Sequence, residues 1–576
     1  MAGTDARTLA NHLAARDDAS LAALLSARRV APAAPWNDAF DAAEQLLDAA
    51  SLARAITDLS ADESSALAEA IDSGGASAGA ARDALIERAL LDADGVPWDA
   101  VAEAYRAAVP VASSPADDAP LAAEPRPEPE SDAAAERAFT ASASLADVLQ
   151  AALAAPLGRI GSGTLGAVDR RRLIETGAVA DAQAADEFVA IAESAGLLGA
   201  QDRALLVTPR GLAWLHSSTL ARWSEVAAAL VEALPAAVRA PDGGWIAPRD
   251  WAGARPFDPA WPARAAQVRA LLRRWALIDE TDAPPSWARA MAGGGALDLD
   301  ALAGLLPPEV DRVYLQNDLT AIAPGSLAPD LDMRLRAMTK RESRAQASSY
   351  RFTAETIANS LTAGETAESL RQFLLELSLT GLPQPLAYEI ERAASRHGAL
   401  RVGPDATGRT RVSSDDSALL STVAVDQALR PLGLVPDGDD LVTRSSADTA
   451  FWMIADARYP IVAVDAAGAR RALDRHRLAP DPAPAAAAVD VYADLLTRLR
   501  AGQAGDADAA WLGRELEQAV RARATIVVAV SLPDGSEREF TIEATGIGGG
   551  RLRGLDRHVD VERTLPVASI VRVGPA

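Results

Sequence analysis

The sequence predicts a multidomain chain, mainly α-helical with α+β parts. Three observations carry this reading. The 576 residues are roughly four times a typical single domain, so about three to five domains are expected. An acidic stretch rich in proline interrupts the chain near residue 120. Alternating, β-branched patterns are confined to short runs until residue 525, after which they dominate. With 49% hydrophobic and 24% charged residues, the composition is globular.

Residues 1–110 read as a helical N-terminal domain. Leu21, Leu24 and Leu25 recur at helical spacing, and Ser60 three residues before Glu63 has the spacing of a capping box. Residues 111–138 hold Pro115, Pro120, Pro125, Pro127 and Pro129 among many acids, the composition of a disordered or extended linker.

Helix signals return over 139–310. Phe188, Ile191, Ala192 and Ala195 line one face, Gly196 to Gly199 ends that helix, and 203–208 makes a short strand. Pro209-Arg210-Gly211 then turns the chain into Leu212–Leu215. Helices followed by a short β-wing resemble the winged-helix class, which predicts a winged-helix-like module over 158–220. Such modules contact protein as well as DNA, so the fold alone assigns no ligand. Trp245, Trp251, Trp261, Trp275 and Trp287 follow among Pro and Gly. Packing of large indoles in an irregular helical region is the expected reading, and stacking on unpaired bases the alternative.

Residues 311–480 predict a mixed α/β domain. Strand character runs over 313–323, at Leu400–Val402, at Val412, over Phe451–Ile454 and over Ile461–Val464. Leu370, Phe373, Leu374 and Leu377 form a core-facing helical stripe that Pro383 and Pro385 are expected to stop. Pro480, Pro482 and Pro484 mark a second break. In the final module, 490–576, a helix from Val491 to Arg523 should lead into a small antiparallel β barrel. Its strands are read at 525–530, 538–542 and 564–573, with turns at Asp534-Gly535 and Gly546–Gly550.

Composition excludes several functions. Without cysteine, and with histidine only at 12, 216, 397, 476 and 558, the chain has little material for thiolate chemistry or transition-metal sites. Of 56 basic residues only Lys340 is lysine, and no glycine precedes it. A P-loop needs its Lys directly after Gly to reach the nucleotide phosphates, so no ATPase motor of that type is expected. No apolar run is long enough to span a bilayer and no signal peptide is evident, which predicts a cytoplasmic protein, nucleoid association being compatible. The arginine excess reads as codon usage. The net charge of −24 opposes a globally basic nucleic-acid binder, so any DNA contact must be local.

Two motif matches lack their context. Gly161-Ser162-Gly163 with Gly166 fits a dinucleotide fingerprint, and Gly75-Ala76-Ser77-Ala78-Gly79 fits a nucleophile elbow. Both motifs require a preceding strand, whereas helices are expected before each. No catalytic residue, metal ligand or cofactor site is predicted.

The segment 331–351 holds six basic residues against Asp332 and Glu342, a local net of +4. Read as one helix, it places Leu331, Leu335 and Met338 on one side and Arg336, Lys340, Arg341 and Arg344 across the other. That face predicts a phosphate-contacting site of Arg334, Arg336, Lys340, Arg341, Arg344 and Arg351, with Arg210 of the wing as a further candidate. The alternatives are a solvated face paired with neighbouring acids and a surface for an acidic protein.

The run from Tyr314 to Gly325, with Glu342-Ser343, Tyr350–Thr353, Leu382–Pro385 and Arg396–Gly398, resembles the N-terminal-like domain of XPB-type helicases. High-GC Gram-positive bacteria carry that domain in helicase-associated proteins. The resemblance implies an XPB-N-like domain over 311–480 that engages DNA beside a motor this chain lacks. The C-terminal segment around Glu515–Val520, Val528–Gly535 and Ile570–Val573 is similar to the barrel of WYL-type domains, without the Trp-Tyr-Leu signature, which implies nucleic-acid or nucleotide-ligand binding. Together these predict a non-catalytic, DNA-associated helicase accessory protein of repair or transcription. Its partners would be DNA and a helicase or other repair or transcription protein. A protein scaffold and a ligand-sensing regulator are the alternatives.

Overall fold

The N-terminal helices begin where short polar side chains can satisfy free backbone N–H groups. In the computed structural model Asp17, Asp38 and Asp48 cap the helices Asp18–Ala27, Ala39–Leu46 and Ala49–Thr57. Ser60 and Glu63 form the expected reciprocal box at the start of Ala61–Ser73. The structure describes all residues except Met1, 110–128, Ser162, 344–347, Ala406, Ala472, 474–476, 481–485, 503–506, 533–535, His558 and Ala576.

The chain forms two compact units, each assembled from separated segments: Met1–Ala122 with Arg249–Ala266 and Ala483–Ala576, and Ala123–Pro248 with Gln267–Pro482. In the first unit the core contains Leu9, Leu24, Ile56, Leu67, Trp98 and Val101, together with Tyr492, Leu495, Leu496 and Leu499 from near the C-terminus. The Tyr492 hydroxyl donates to the Val30 carbonyl at 2.7 Å, and the Arg500 guanidinium reaches Asp18 and the Ala14 carbonyl, each at 2.9 Å. Residues 490–502 thus complete the N-terminal core. Arg28 is buried there without a carboxylate. It donates to Leu46 O, Arg88 O and Ser51 Oγ, where two further helices end. Burial lowers its pKa to about 10, and the negative ends of the helix dipoles help keep it charged at neutral pH.

Several expectations in this unit change. In place of one helix from Val491 to Arg523 stand Ala488–Val491, Ala493–Gly502 and Ala507–Ala522. The C-terminal strands form an open antiparallel sheet, ordered Val561–Pro566, Arg551–Asp556, Glu537–Gly548, Thr525–Ser531, Ile570–Pro575. The first and last of these do not pair, so the sheet does not close into the expected barrel. Glycines 546 and 548 belong to a strand and only Gly549 and Gly550 make the turn, at φ 60° and 72°. The turn read at Asp534-Gly535 lies outside the described residues.

The second unit opens with the 26-residue helix Pro129–Ala154. The expected linker therefore ends earlier: 129–138 is helical, because Ala134, Ala135, Ala138 and Ala141 bury one face, while 111–128 lies outside the described residues. There follow a two-residue strand Leu157–Gly158, helices Ala167–Glu175 and Ala182–Ser194, and a hairpin of Leu198–Gln201 with Ala204–Val207. The three strands make one antiparallel sheet with Ala204–Val207 in its centre. Pro209 does not sit in a turn but opens the helix Pro209–Leu215, capped by Thr208.

Two further cores lie at 313–394 and 400–473. The first backs a four-stranded sheet ordered Tyr314–Leu315, Thr320–Ala323, Ser348–Arg351, Lys340–Ser343. The stripe Leu370, Phe373, Leu374 and Leu377 is buried as expected. Pro383 and Pro385, however, start the helix Gln384–Arg396 rather than stopping the one before it. The second core backs a six-stranded sheet whose centre pairs Thr410–Ser413, Leu400–Pro404 and Ile461–Val464. Phe451–Ile454 is not a strand. Ser446 caps a helix there, Ala447–Asp456, which buries Ala450, Phe451 and Ile454 at helical spacing.

Candidate nucleic-acid interface

The basic segment does not fold as one helix. A helix covers Pro329–Ala337 only, and the chain then becomes the strand Lys340–Ser343, paired with Ser348–Arg351. The physical reason lies in the side chains. Leu335 and Met338 are buried, but no apolar residue follows at i+3 or i+4 to continue a buried helical face. The Thr339 hydroxyl caps the Leu335 carbonyl at 2.6 Å, and a two-residue alternation then turns Arg341 inward and leaves Lys340 exposed.

The inward turn brings the cations to carboxylates. Asp147, on the helix Pro129–Ala154, is buried. It accepts from Arg336 at 2.7 Å and from Arg341. Asp332 lies 3.6 Å from Arg336 and accepts from the Tyr350 hydroxyl at 2.6 Å. Burial works against the Arg336 charge, but Asp147 and Asp332 outweigh it and hold the guanidinium more firmly protonated than usual. Burial, followed by the neighbouring Asp332, pushes the Tyr350 hydroxyl well above its ordinary range.

The outer arginines are also engaged. Arg334 makes a two-pronged bond to Glu365 at 2.9 and 3.1 Å and lies 4.3 Å from the Phe373 ring centroid. Arg351 donates to Glu342 at 2.5 Å, and Arg210 to Glu225 at 2.6 Å. Lys340 is exposed and has no carboxylate partner among the described residues. Arg344 lies outside them. The structure thus brings Arg336 and Arg341 together at Asp147 and leaves Lys340 exposed on the edge strand, and most of the predicted cations face carboxylates of the same chain.

Nor are the tryptophans available for bases: Trp245, Trp251, Trp261, Trp275 and Trp287 are all buried. Trp223 and Trp275 exchange indole N–H bonds to each other's carbonyls, both 2.9 Å. The glycine loop 161–166 follows a two-residue strand rather than a helix, and the amides of Gly163 and Gly166 fold back on the protein. Gly163 N–H reaches the Ile160 carbonyl and Gly166 N–H the Gly158 carbonyl, each at 2.8 Å, which leaves no phosphate cradle at those amides. In the other motif Ser77 donates to Glu69, a contact that provides no nucleophile–histidine pair.

A cavity of about 920 Å³ runs beside Pro129–Ala154, lined among others by Arg137, Glu187, Arg273, Arg274 and Arg341. Its cations are again largely paired, Arg274 with Glu187 at 2.6 Å and Arg273 with Asp282 at 2.5 Å. No group of three or more metal-ligating side chains occurs among the described residues, and none of their helices is long and apolar enough to cross a membrane.

Residues 313–436 match a family model described as a helicase conserved C-terminal domain. The match covers the first α/β core and the opening strands of the second, and it makes this part of the chain helicase-related. It spans under a quarter of the sequence. No curated protein matches the chain.

Sequence reasoning missed Asp147, whose partners lie 189 and 194 residues away; no local signal marks such a residue. It also passed over Arg551 and Arg553, although two arginines flanked by Gly548–Gly550 and Gly554 were readable as a bare, charged strand.

Proposed function

We propose that this protein is a helicase-associated accessory factor that acts on DNA with a partner enzyme, in repair or transcription, and carries no ATPase motor in these 576 residues. The observation that carries the proposal is a helicase-domain match at 313–436 in a chain whose one lysine, Lys340, follows Thr339. Without a Gly-Lys step there is no P-loop grip on the β- and γ-phosphates. The test is ATP turnover by the pure protein, with and without DNA. No hydrolysis above buffer is expected, and hydrolysis abolished by a substitution within this chain would sink the proposal.

The finer parts of the reading follow. The XPB-type reading of 311–480 rests on the residue runs from Tyr314 to Gly398, and the helicase match at 313–436 lies within it. The order helix, strand, helix, helix, hairpin over 129–207 supports a winged-helix-like module at 158–220. The helix preceding its hairpin, Ala182–Ser194, carries Asp186, Glu187 and Glu193 and no basic residue, so this module suits a protein partner better than a DNA groove. The antiparallel meander after residue 524 supports a WYL-like reading of 490–576 in open-sheet form. A cytoplasmic location accords with the absence of cysteine.

A scaffold that binds protein and no DNA is the second reading, favoured by the internal pairing of Arg334, Arg336, Arg341 and Arg351. A salt titration of DNA binding separates the two, since only direct phosphate contact gives a slope.

A further inference from the structure

Gly546 and Gly548 sit inside the strand Glu537–Gly548 and neither has a positive φ. A Cβ built on either would meet nothing within 4 Å. Gly546 follows a register shift in the pairing after Ala544, a bulge at which glycine is common; Gly548 has no such reason, although glycine inside a strand costs backbone entropy and removes a packing side chain. Gly554 differs: a Cβ there would lie 2.8 Å from the Glu543 carbonyl oxygen, so packing explains it.

What lies opposite these two glycines is cationic. Gly546 pairs with Arg553 and Gly548 with Arg551; on the other side these arginines face Thr564 and Pro566. Both are exposed, and neither has a side-chain hydrogen bond or ion pair among the described residues. Further along this face Arg557 pairs with Glu543, and Glu562 lies opposite Leu555. The end nearest the Gly549-Gly550 turn thus presents two free guanidinium groups, about 7 Å apart for residues two positions along a strand, beside the bare backbone of Gly546 and Gly548, with the Thr545 hydroxyl at the bulge donating to the Arg553 carbonyl at 3.2 Å.

We propose that this face binds the phosphodiester backbone of a nucleic-acid strand. Arg551 and Arg553 each meet a phosphate, and the bare backbone at 546 and 548 lets the strand lie flat against the sheet. The proposal rests on the DNA-associated reading above and gives it a site. It involves neither the winged-helix-like module nor the matched helicase domain.

Fluorescence anisotropy with the full chain, using a labelled oligothymidine and a labelled duplex over a range of salt, tests it. R551Q/R553Q should keep its circular dichroism, since both side chains are exposed and unpaired. Its log affinity against log salt should lose about 1.4 units of slope on the single strand, roughly 0.7 for each contact. G548T, at the glycine away from the bulge, keeps both charges. Its melting temperature should hold or rise, because threonine suits a strand with open space beside it, while its binding falls to the level of the arginine variant.

A purely structural role for this glycine would move stability the other way, so a lowered melting temperature with intact binding overturns the proposal. An unchanged slope in R551Q/R553Q overturns it too and leaves the wider DNA reading standing. Displacement of the oligonucleotide by polyglutamate at equal charge concentration would reassign the face to an acidic protein. A wild-type protein that binds neither probe at low salt removes both this proposal and the DNA part of the wider one, whereas the ATP measurement bears on the absence of a motor alone.

Discussion

Arginine meets two different environments in two antiparallel hairpins of this protein. In the hairpin of Lys340–Ser343 with Ser348–Arg351, Arg341 is held by Asp147 and Arg351 by Glu342. In the hairpin of Glu537–Gly548 with Arg551–Asp556, Arg551 and Arg553 stand opposite glycines. The first segment has the higher local charge by sequence, +4 over 331–351. The second has the cations free to meet a ligand. In a chain of net charge −24, what decides the availability of a cation is which carboxylate the fold delivers to it.

The largest effect expected from breaking this comparison is at Asp147. Removing its charge with D147N leaves Arg341 without its carboxylate and Arg336 with Asp332 alone, at 3.6 Å, in a site that burial makes unfavourable for weakly paired guanidinium groups. It should lower stability by about 3–5 kcal/mol, read as a shift of the urea midpoint at unchanged m value. A change under 1 kcal/mol, on the order of an exposed pair, would show that the cluster is solvated and its arginines reachable.

Next in size is the contrast in salt dependence. R334Q/R351Q should leave the DNA-binding slope as in the wild type, because both cations already have carboxylates, while R551Q/R553Q reduces it. Equal losses in the two variants would erase the distinction between the hairpins.

The smallest effect concerns acid. Burial opposes ionisation of Glu365, yet hydrogen bonds from Arg334 and Ser369 hold its pKa below the ordinary 4.5. A carboxylate depressed in the folded state contributes stability that is fully present above its unfolded pKa, and that contribution disappears as pH falls through the folded value. E365Q should therefore cost stability at pH 6, by less than about 1 kcal/mol for this partly exposed pair, and progressively less as the pH falls through the folded value. A difference that did not shrink with falling pH would point to packing instead of charge.

Much of the local structure was legible before the fold. Ser60 with Glu63 and the stripe from Leu370 to Leu377 depend on residues three to seven apart, so the sequence displays them directly. The short strands at Leu400, Val412 and Ile461, and the hairpin beginning at Thr525, were readable for the same reason. The candidate site was legible as composition and misread as geometry. Wheel arithmetic continued a helix past Met338, where no further apolar side chain rewards one, and it could not see that Asp332 and Asp147 would claim the arginines. Phe451–Ile454 failed differently: a short apolar run fits a strand or a buried helix equally, and the cap at Ser446 decides it.

By itself the sequence determined that the chain holds no Gly-Lys step and no cysteine, the capped helix start at Ser60, and a mainly helical chain with α+β parts. These follow from residue type and short-range spacing. Only the tertiary structure decided that Tyr492, Leu495 and Leu499 complete a core begun by Leu9, that the tryptophans are packed inside, and that Arg336 and Arg341 share a buried Asp147 while Arg551 and Arg553 face open glycine. The physical reason is the same in each case: burial and charge compensation act between atoms close in space, and in this chain those atoms come from positions as much as 486 residues apart, as in the bond from Arg500 to Ala14.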